Sequence, residues 1–111
     1  MATNYIQPGD VLTLAAPYAV ASGAGMLVGG IFAVALDAAS NGASVQAQRG
    51  GVWTLPKLTS DDVTAGAKLY WDNTNKRLTL TSSGNTLVGA ATAAAGTSAT
   101  TVSVLLDGTV R

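Results

Sequence analysis

Turn-forming residues interrupt this chain about every ten residues, and this spacing limits the elements that it can form. Turn signals rich in Gly, Pro, Asn, Asp and Ser occur at residues 8–10, 22–25, 72–75 and 82–85. The apolar runs between them are short, and several alternate with a period of two residues, as residues 11–16 do. The pattern predicts an all-β fold, a compact sandwich or barrel of short antiparallel strands.

One segment of the chain is compatible with a helix. Residues 59–62 resemble a helix N-cap, because Thr, Ser and Asp side chains accept hydrogen bonds from the first N–H groups of a helix. We therefore expect at most one short helix, a single turn at residues 61–65. Strands are predicted at residues 11–16, 26–28, 31–36, 44–49, 52–55, 67–71, 77–81, 86–91 and 101–106.

A weak internal repeat relates the two halves of the chain. Residues 22–23 and 27–29 (Ser-Gly and Leu-Val-Gly) recur as residues 83–84 and 87–89. One interpretation is two similar β-units that bury their apolar faces against each other. The other is chance recurrence in a sequence rich in Gly and Val.

The composition argues against a protein with a thiolate metal site, an enzyme with a histidine base and a protein that binds nucleic acid. The chain has no Cys, His or Glu, and its net charge is zero. It therefore lacks thiolate metal ligands, the commonest general base and a basic face for phosphate backbones. Ala, Gly, Ser and Thr make up 55 of the 111 residues, and only 11% of residues are charged. Such a surface favours close contact between subunits, the alternative being a monomeric β-domain with a face rich in Thr and Ser.

No motif in the chain supports catalysis or cofactor binding. No lysine directly follows a glycine, so the phosphate-binding P-loop is absent. Asp61 and Asp62 form the one acidic pair, but neighbouring residues on a strand point to opposite faces. A serine nucleophile needs an activating base, and no Ser-x-x-Lys spacing occurs. We predict a protein that is not an enzyme, with no catalytic, cofactor or metal site.

The two uncharged runs of the chain, residues 11–36 and 78–106, are long enough to span a membrane. Gly and Pro interrupt the first run, and Thr, Ser and Gly fill the second, so we expect no membrane partner. The N-terminal residues do not have the pattern of a signal peptide. Residues 1–9 are expected to form an N-terminal arm, and residues 10–111 a single β-domain.

Six short motifs are distributed over nearly the whole chain, at residues 4–10, 17–23, 27–29, 51–57, 65–72 and 84–89. No single motif is specific, but their order and spacing together are. Through these motifs the sequence resembles the capsid cement, or head decoration, proteins of tailed phages, a family formerly grouped as a domain of unknown function.

The resemblance implies a function on the virion. Such a protein would sit on the outer capsid surface as a homotrimer and hold subunits of the major capsid protein against the pressure of packaged DNA. The family has no catalytic residues to transfer. The lack of cysteine fits synthesis in the reducing cytoplasm of a bacterial host.

The N-terminal arm is the candidate capsid-contact site. It is uncharged before the turn at residues 8–10, and an extended segment can add to an exposed sheet edge through main-chain hydrogen bonds. Alternatives are a fibre-type or tail-associated module for host attachment and, disfavoured by the composition, a hydrolase that uses Asp61 or Asp62. The predicted contact residues are Thr3, Asn4, Tyr5, Ile6, Gln7 and Pro8, with Tyr5 and Ile6 as anchors.

Overall fold

The computed structural model of the protein describes residues 11–108, and the regular elements in this part of the chain are all β-strands. They form two antiparallel sheets, one of four strands and one of five. The strands are β1 (Val11–Ala15), β2 (Gly25–Val28), β3 (Ile31–Ala35), β4 (Ser44–Gln48), β5 (Gly50–Pro56), β6 (Lys68–Asp72), β7 (Arg77–Thr79), β8 (Thr86–Ala91) and β9 (Thr101–Asp107).

The first sheet contains β1 to β4 in the order β1-β4-β3-β2. Gly29 and Gly30 form the two-residue turn between β2 and β3, in which Val28 pairs with Ile31. The φ angle of Gly29 is +59°, in the left-handed region that glycine enters without steric cost. Because β1 and β2 stand at the two ends of the strand order, they are the edges of this sheet.

The second sheet has the order β5-β9-β8-β6-β7 and curls, so that its two edges approach each other. Lys57, directly after β5, forms a parallel bridge with Leu78 of β7. The N–H group of Leu58 donates a hydrogen bond of 2.8 Å to the carbonyl of Leu78. This short pairing joins one end of β5 to β7.

Strand β3 belongs to both hydrophobic cores. Phe32 and Val34 join the larger core, whose other members come from residues 55–106. Ala33 and Ala35 face the opposite way, into a smaller core with Met26 and the loops of the first sheet. Because β3 is buried on both faces, its sequence is an uninterrupted apolar run.

Trp71 of β6 is the largest fully buried side chain and connects the two sheets. Its ring centroid lies 4.9 Å from that of Phe32, and the two rings are tilted by 52°. Its indole N–H donates a hydrogen bond of 3.1 Å to the side-chain oxygen of Asn73. Gly25 lies against both rings, where a Cβ atom would come within 2.8 Å of Phe32 and 2.9 Å of Trp71. Only glycine fits there without a shift of the two rings.

The turn between β6 and β7 is held by a side chain, as the sequence predicts for residues 72–75. One carboxylate oxygen of Asp72 accepts hydrogen bonds from the N–H groups of Thr74, at 3.0 Å, and Asn75, at 3.2 Å. The other oxygen accepts one of 2.8 Å from the Asn75 amide. These hydrogen bonds lower the pKa of Asp72, and the bond from the Asn75 side chain has the largest effect.

The predicted fold class is confirmed, and each predicted strand is present with ends within two residues of those predicted. The helical turn at residues 61–65 is wrong. Val63 is extended there and exchanges two backbone hydrogen bonds of 2.8 Å with Ala95. The two copies of the weak repeat fall in different sheets, but Gly29 lies in a turn and Gly89 within β8.

Replacement of Phe32 by alanine tests whether the contact with Trp71 joins the sheets. We expect Phe32→Ala to lower the free energy of unfolding by about 3–5 kcal/mol, because it removes a buried aromatic ring and leaves a cavity. Val52→Ala is the control, since Val52 is 61% exposed and its loss should cost at most about 0.5 kcal/mol. Urea unfolding measures both, and equal effects would contradict the assignment.

Candidate functional site

The arm residues predicted to contact the capsid, Thr3 to Pro8, lie outside the described residues. The first described residue, Val11, begins β1, an edge strand of the first sheet. The arm therefore precedes an edge strand along the chain. The edges and exposed faces of the two sheets are the surfaces on which a partner could bind.

The acidic pair has a structural role at Asp61. One carboxylate oxygen of Asp61 accepts a hydrogen bond of 2.7 Å from the Thr79 hydroxyl and one of 2.9 Å from the Leu80 N–H group. Asp62 is exposed to solvent. The carboxylate of Asp61 thus fixes the loop after β5 to the end of β7.

Lys57 holds the same loop from inside. Its side chain is only 3% exposed, and its ammonium group donates hydrogen bonds to the carbonyls of Leu58, at 2.9 Å, and Asp61, at 2.7 Å. A buried ammonium group requires such acceptors, since burial without them is costly. The loop therefore wraps around the amino group of Lys57.

Within residues 11–108, no group of three or more Asp side chains is placed so that it could hold a metal ion. The same part of the chain contains no helix that is long and apolar enough to cross a membrane.

The outer face of the second sheet carries two exposed apolar side chains, Val52 and Leu105, in a row with the half-buried Ala90 and the charged Lys68. Val52, Leu105 and Ala90 are register neighbours on β5, β9 and β8, and Lys68 of β6 continues the row. Val52 is 61% exposed and Leu105 is 49% exposed. We call these four residues the outer row. A shallow depression beside it is lined by Lys68, Leu87, Gly89, Ala90, Leu105 and Asp107.

Both edges of the second sheet carry features that hinder further strand pairing. In β5 the φ angle of Gly51 is +99°, outside the range of a regular strand, and Pro56 has no N–H group to donate. Strand β7 has only three residues and begins with the charged Arg77. Short strands, Pro and charge are the usual means by which edges avoid unwanted pairing.

Tyr18 covers the β2 edge of the first sheet. Its hydroxyl donates a hydrogen bond of 2.9 Å to the carbonyl of Gly25 and accepts one from the backbone of Leu27. Burial raises the pKa of Tyr18 above its ordinary value, although the Leu27 bond acts in the opposite direction. The ammonium group of Lys76 lies 4.3 Å from the centre of the Tyr18 ring. Lys76 belongs to the turn between β6 and β7, so this turn of the second sheet helps to hold the Tyr18 side chain in place.

The β1 edge has none of these features. Its sequence, VLTLA, contains no charge, proline or glycine. Its ladder with β4 is regular over all five residues. The side chains of Thr13 and Ala15 are small and exposed. Among the described strands, β1 is therefore the edge that is most open to another strand.

Comparison with known proteins shows which family the chain belongs to. The sequence profile of a family described as phage cement protein matches residues 6–106, nearly the whole chain. The chain belongs to the phage cement protein family. Neither the curated proteins nor the solved structures gave a match. This phage cement protein is a structural protein that stabilises the capsid, and the family is a structural one.

Sequence reasoning identified the strands of this cement protein but not its most informative contacts. Tyr18 lies in a segment that carries the resemblance, yet nothing in the sequence marks it as the cover of an edge. The exposure of Val52 and Leu105 depends on which face of the second sheet is buried, which alternation within one strand leaves undetermined. The open β1 edge follows from the strand order, which turn spacing does not predict.

Replacement of Tyr18 by phenylalanine tests the cover of the β2 edge. We expect Tyr18→Phe to lower the free energy of unfolding by about 1 kcal/mol, because the Gly25 carbonyl and Leu27 N–H groups lose a partner. Tyr70→Phe is the matched control, since the Tyr70 hydroxyl makes no hydrogen bond to a residue between 11 and 108. Thermal and urea unfolding compare the two variants. A cost no greater than that of Tyr70→Phe would contradict the role of Tyr18.

The raised pKa of Tyr18 adds a pH dependence. A group with a raised pKa in the folded protein contributes stability below its unfolded pKa, here about 10, and loses it as the pH rises through the folded value. We therefore expect the stability difference between wild type and Tyr18→Phe to shrink above pH 10. A constant difference between pH 8 and pH 11 would contradict this expectation.

Proposed function

We propose that this cement protein binds the outer surface of the phage capsid as a homotrimer, with the major capsid protein as its partner. The family match over residues 6–106 carries this proposal. The exposed surface supports it, since a neutral surface rich in small residues packs closely against other subunits. The lack of cysteine is consistent with synthesis in the host cytoplasm.

We further propose that residues 1–9 form an arm and residues 10–111 the domain that the arm attaches to the capsid. Within the arm, Tyr5 and Ile6 would supply apolar anchors, while the backbone pairs with an edge strand of the capsid. The remaining contact residues are Thr3, Asn4, Gln7 and Pro8. The position of the arm before an open edge strand supports this assignment.

The outer row would supply a second, weaker contact. A stable interface buries about 800 Å² on each partner, which the few exposed apolar side chains of the outer row do not provide alone. Repeated contacts of this size become effective when many subunits bind one shell, because each bound site raises the effective concentration of the next. Nothing on the described residues favours the alternative of a fibre-type or tail-associated module.

Shortening the arm tests the proposal. We expect deletion of residues 2–7 to abolish binding to purified capsids that lack cement protein, while the free protein keeps its β-sheet circular dichroism and unfolding midpoint. Cosedimentation with capsids at graded concentrations measures binding.

Two double variants test whether Tyr5 and Ile6 contribute more to capsid binding than the polar residues beside them. The double variant Tyr5→Ala, Ile6→Ala should weaken capsid binding strongly, because it removes both apolar anchors. The matched control Thr3→Ala, Gln7→Ala should bind within about twofold of wild type, since exposed polar side chains contribute little. Binding that survives the deletion undiminished would contradict the role of the arm.

A further inference from the structure

Strand β1 lies at one end of the first sheet, and no described strand pairs with its outer side. We propose that this edge takes one extended strand of the major capsid protein, which adds to the first sheet beside β1. This inference rests on the proposed function, since it names the part of the domain that continues the capsid contact. It differs from the arm proposal because the pairing groups belong to the folded domain.

The backbone groups available for this pairing are those of Thr13 and Ala15. The N–H group of Ala16 donates a hydrogen bond of 2.9 Å to the carbonyl of Ala43, which continues the β1–β4 register. In an antiparallel pair, alternate residues direct their backbone groups toward the partner. Leu14 therefore faces β4 with Ala16, and Thr13 and Ala15 direct their N–H and C=O groups away from it. No residue between 11 and 108 pairs with these outward groups.

The side chains around the edge permit a close approach. An added strand lies about 4.8 Å from its neighbour, which bulky or charged side chains on an edge discourage. Thr13 and Ala15 are small and uncharged. The Thr13 hydroxyl accepts a hydrogen bond of 2.7 Å from the amide of Gln46, so this side chain is held against the face of its own sheet.

The structure favours the capsid protein over a second copy of this chain. The opposite edge of the first sheet is covered by Tyr18, so head-to-tail pairing of copies into a ring through this sheet is blocked. Copies could pair only edge to edge at β1 around a twofold axis. A five-residue strand buries far less than the roughly 800 Å² per partner of a stable dimer.

The arm supplies what the short edge lacks. Residues 1–9 precede β1 along the chain, so a capsid segment bound by the proposed arm would be tethered near this edge at a raised effective concentration. A few main-chain hydrogen bonds are then enough to strengthen the contact. The site requires only an extended backbone from its partner, with small or polar side chains where it faces Thr13 and Ala15.

Proline at the outward positions of β1 tests the inference without breaking the β1–β4 ladder. Thr13→Pro and Ala15→Pro each remove one outward N–H group, and proline is tolerated on an edge strand when its N–H position faces solvent. Thr13→Ala is the matched control, because it loses the same bond to Gln46 but keeps the N–H group. Circular dichroism and unfolding midpoints identify the variants that keep the fold.

Binding of these variants to cement-free capsids decides the question. We expect the proline variants that keep the fold to bind at least about tenfold more weakly than Thr13→Ala, the effect of losing a strand hydrogen bond and hindering its neighbours. Capsid binding of both proline variants equal to that of Thr13→Ala would overturn the inference. If deletion of residues 2–7 still abolished binding in that case, the proposed function would stand.

Two further outcomes also count against the inference. Dimers of the wild type in solution that Thr13→Pro dissociates would show that a second copy occupies the edge. Failure of the wild type itself to bind capsids would overturn the proposed function together with the inference that rests on it. Sedimentation velocity of the free protein distinguishes the first outcome from the second.

Discussion

The contact between Trp71 and Phe32 is the interaction on which the arrangement of the two sheets depends. About half of the residues are Ala, Gly, Ser or Thr, so few large side chains are available to fill a core. The ring centroids of Trp71 and Phe32 lie 4.9 Å apart, and Gly25 lies against both rings with no room for a side chain. Because β3 carries Phe32 on one face and Ala33 on the other, the same strand ties the larger core to the smaller one.

This packing also decides which surfaces remain for partners. The aromatic contact brings the Tyr18 segment and the turn after β6 together, where the Lys76 ammonium lies over the Tyr18 ring and the Tyr18 hydroxyl covers the β2 edge. One edge of the first sheet is thereby closed, and the other, β1, has no further strand partner among the described strands. On the second sheet the inward side chains fill the core, which leaves Val52 and Leu105 outside. A protein that stabilises the capsid needs surfaces that bind other subunits rather than a reactive site.

Much of the secondary structure was predictable, and the arrangement was much less so. Turn residues and alternation located the strands because both signals are local. The helical turn at residues 61–65 failed because long-range bonds decide that segment: Val63 pairs with Ala95, and Asp61 binds Thr79. Strand order, the cover by Tyr18 and the buried Lys57 depend on residues far apart in sequence, which a local pattern does not relate. The candidate arm was predicted from sequence, and its residues lie outside the described part.

A protein that stabilises a phage capsid by coating it must be abundant on the virion. Its copy number per purified virion, measured by quantitative mass spectrometry against the major capsid protein, is therefore the most direct test of this role. A coating protein should be present in many copies, in a fixed ratio to the major capsid protein and on heads without tails. A handful of copies confined to the tail, or none in the virion, would contradict the account.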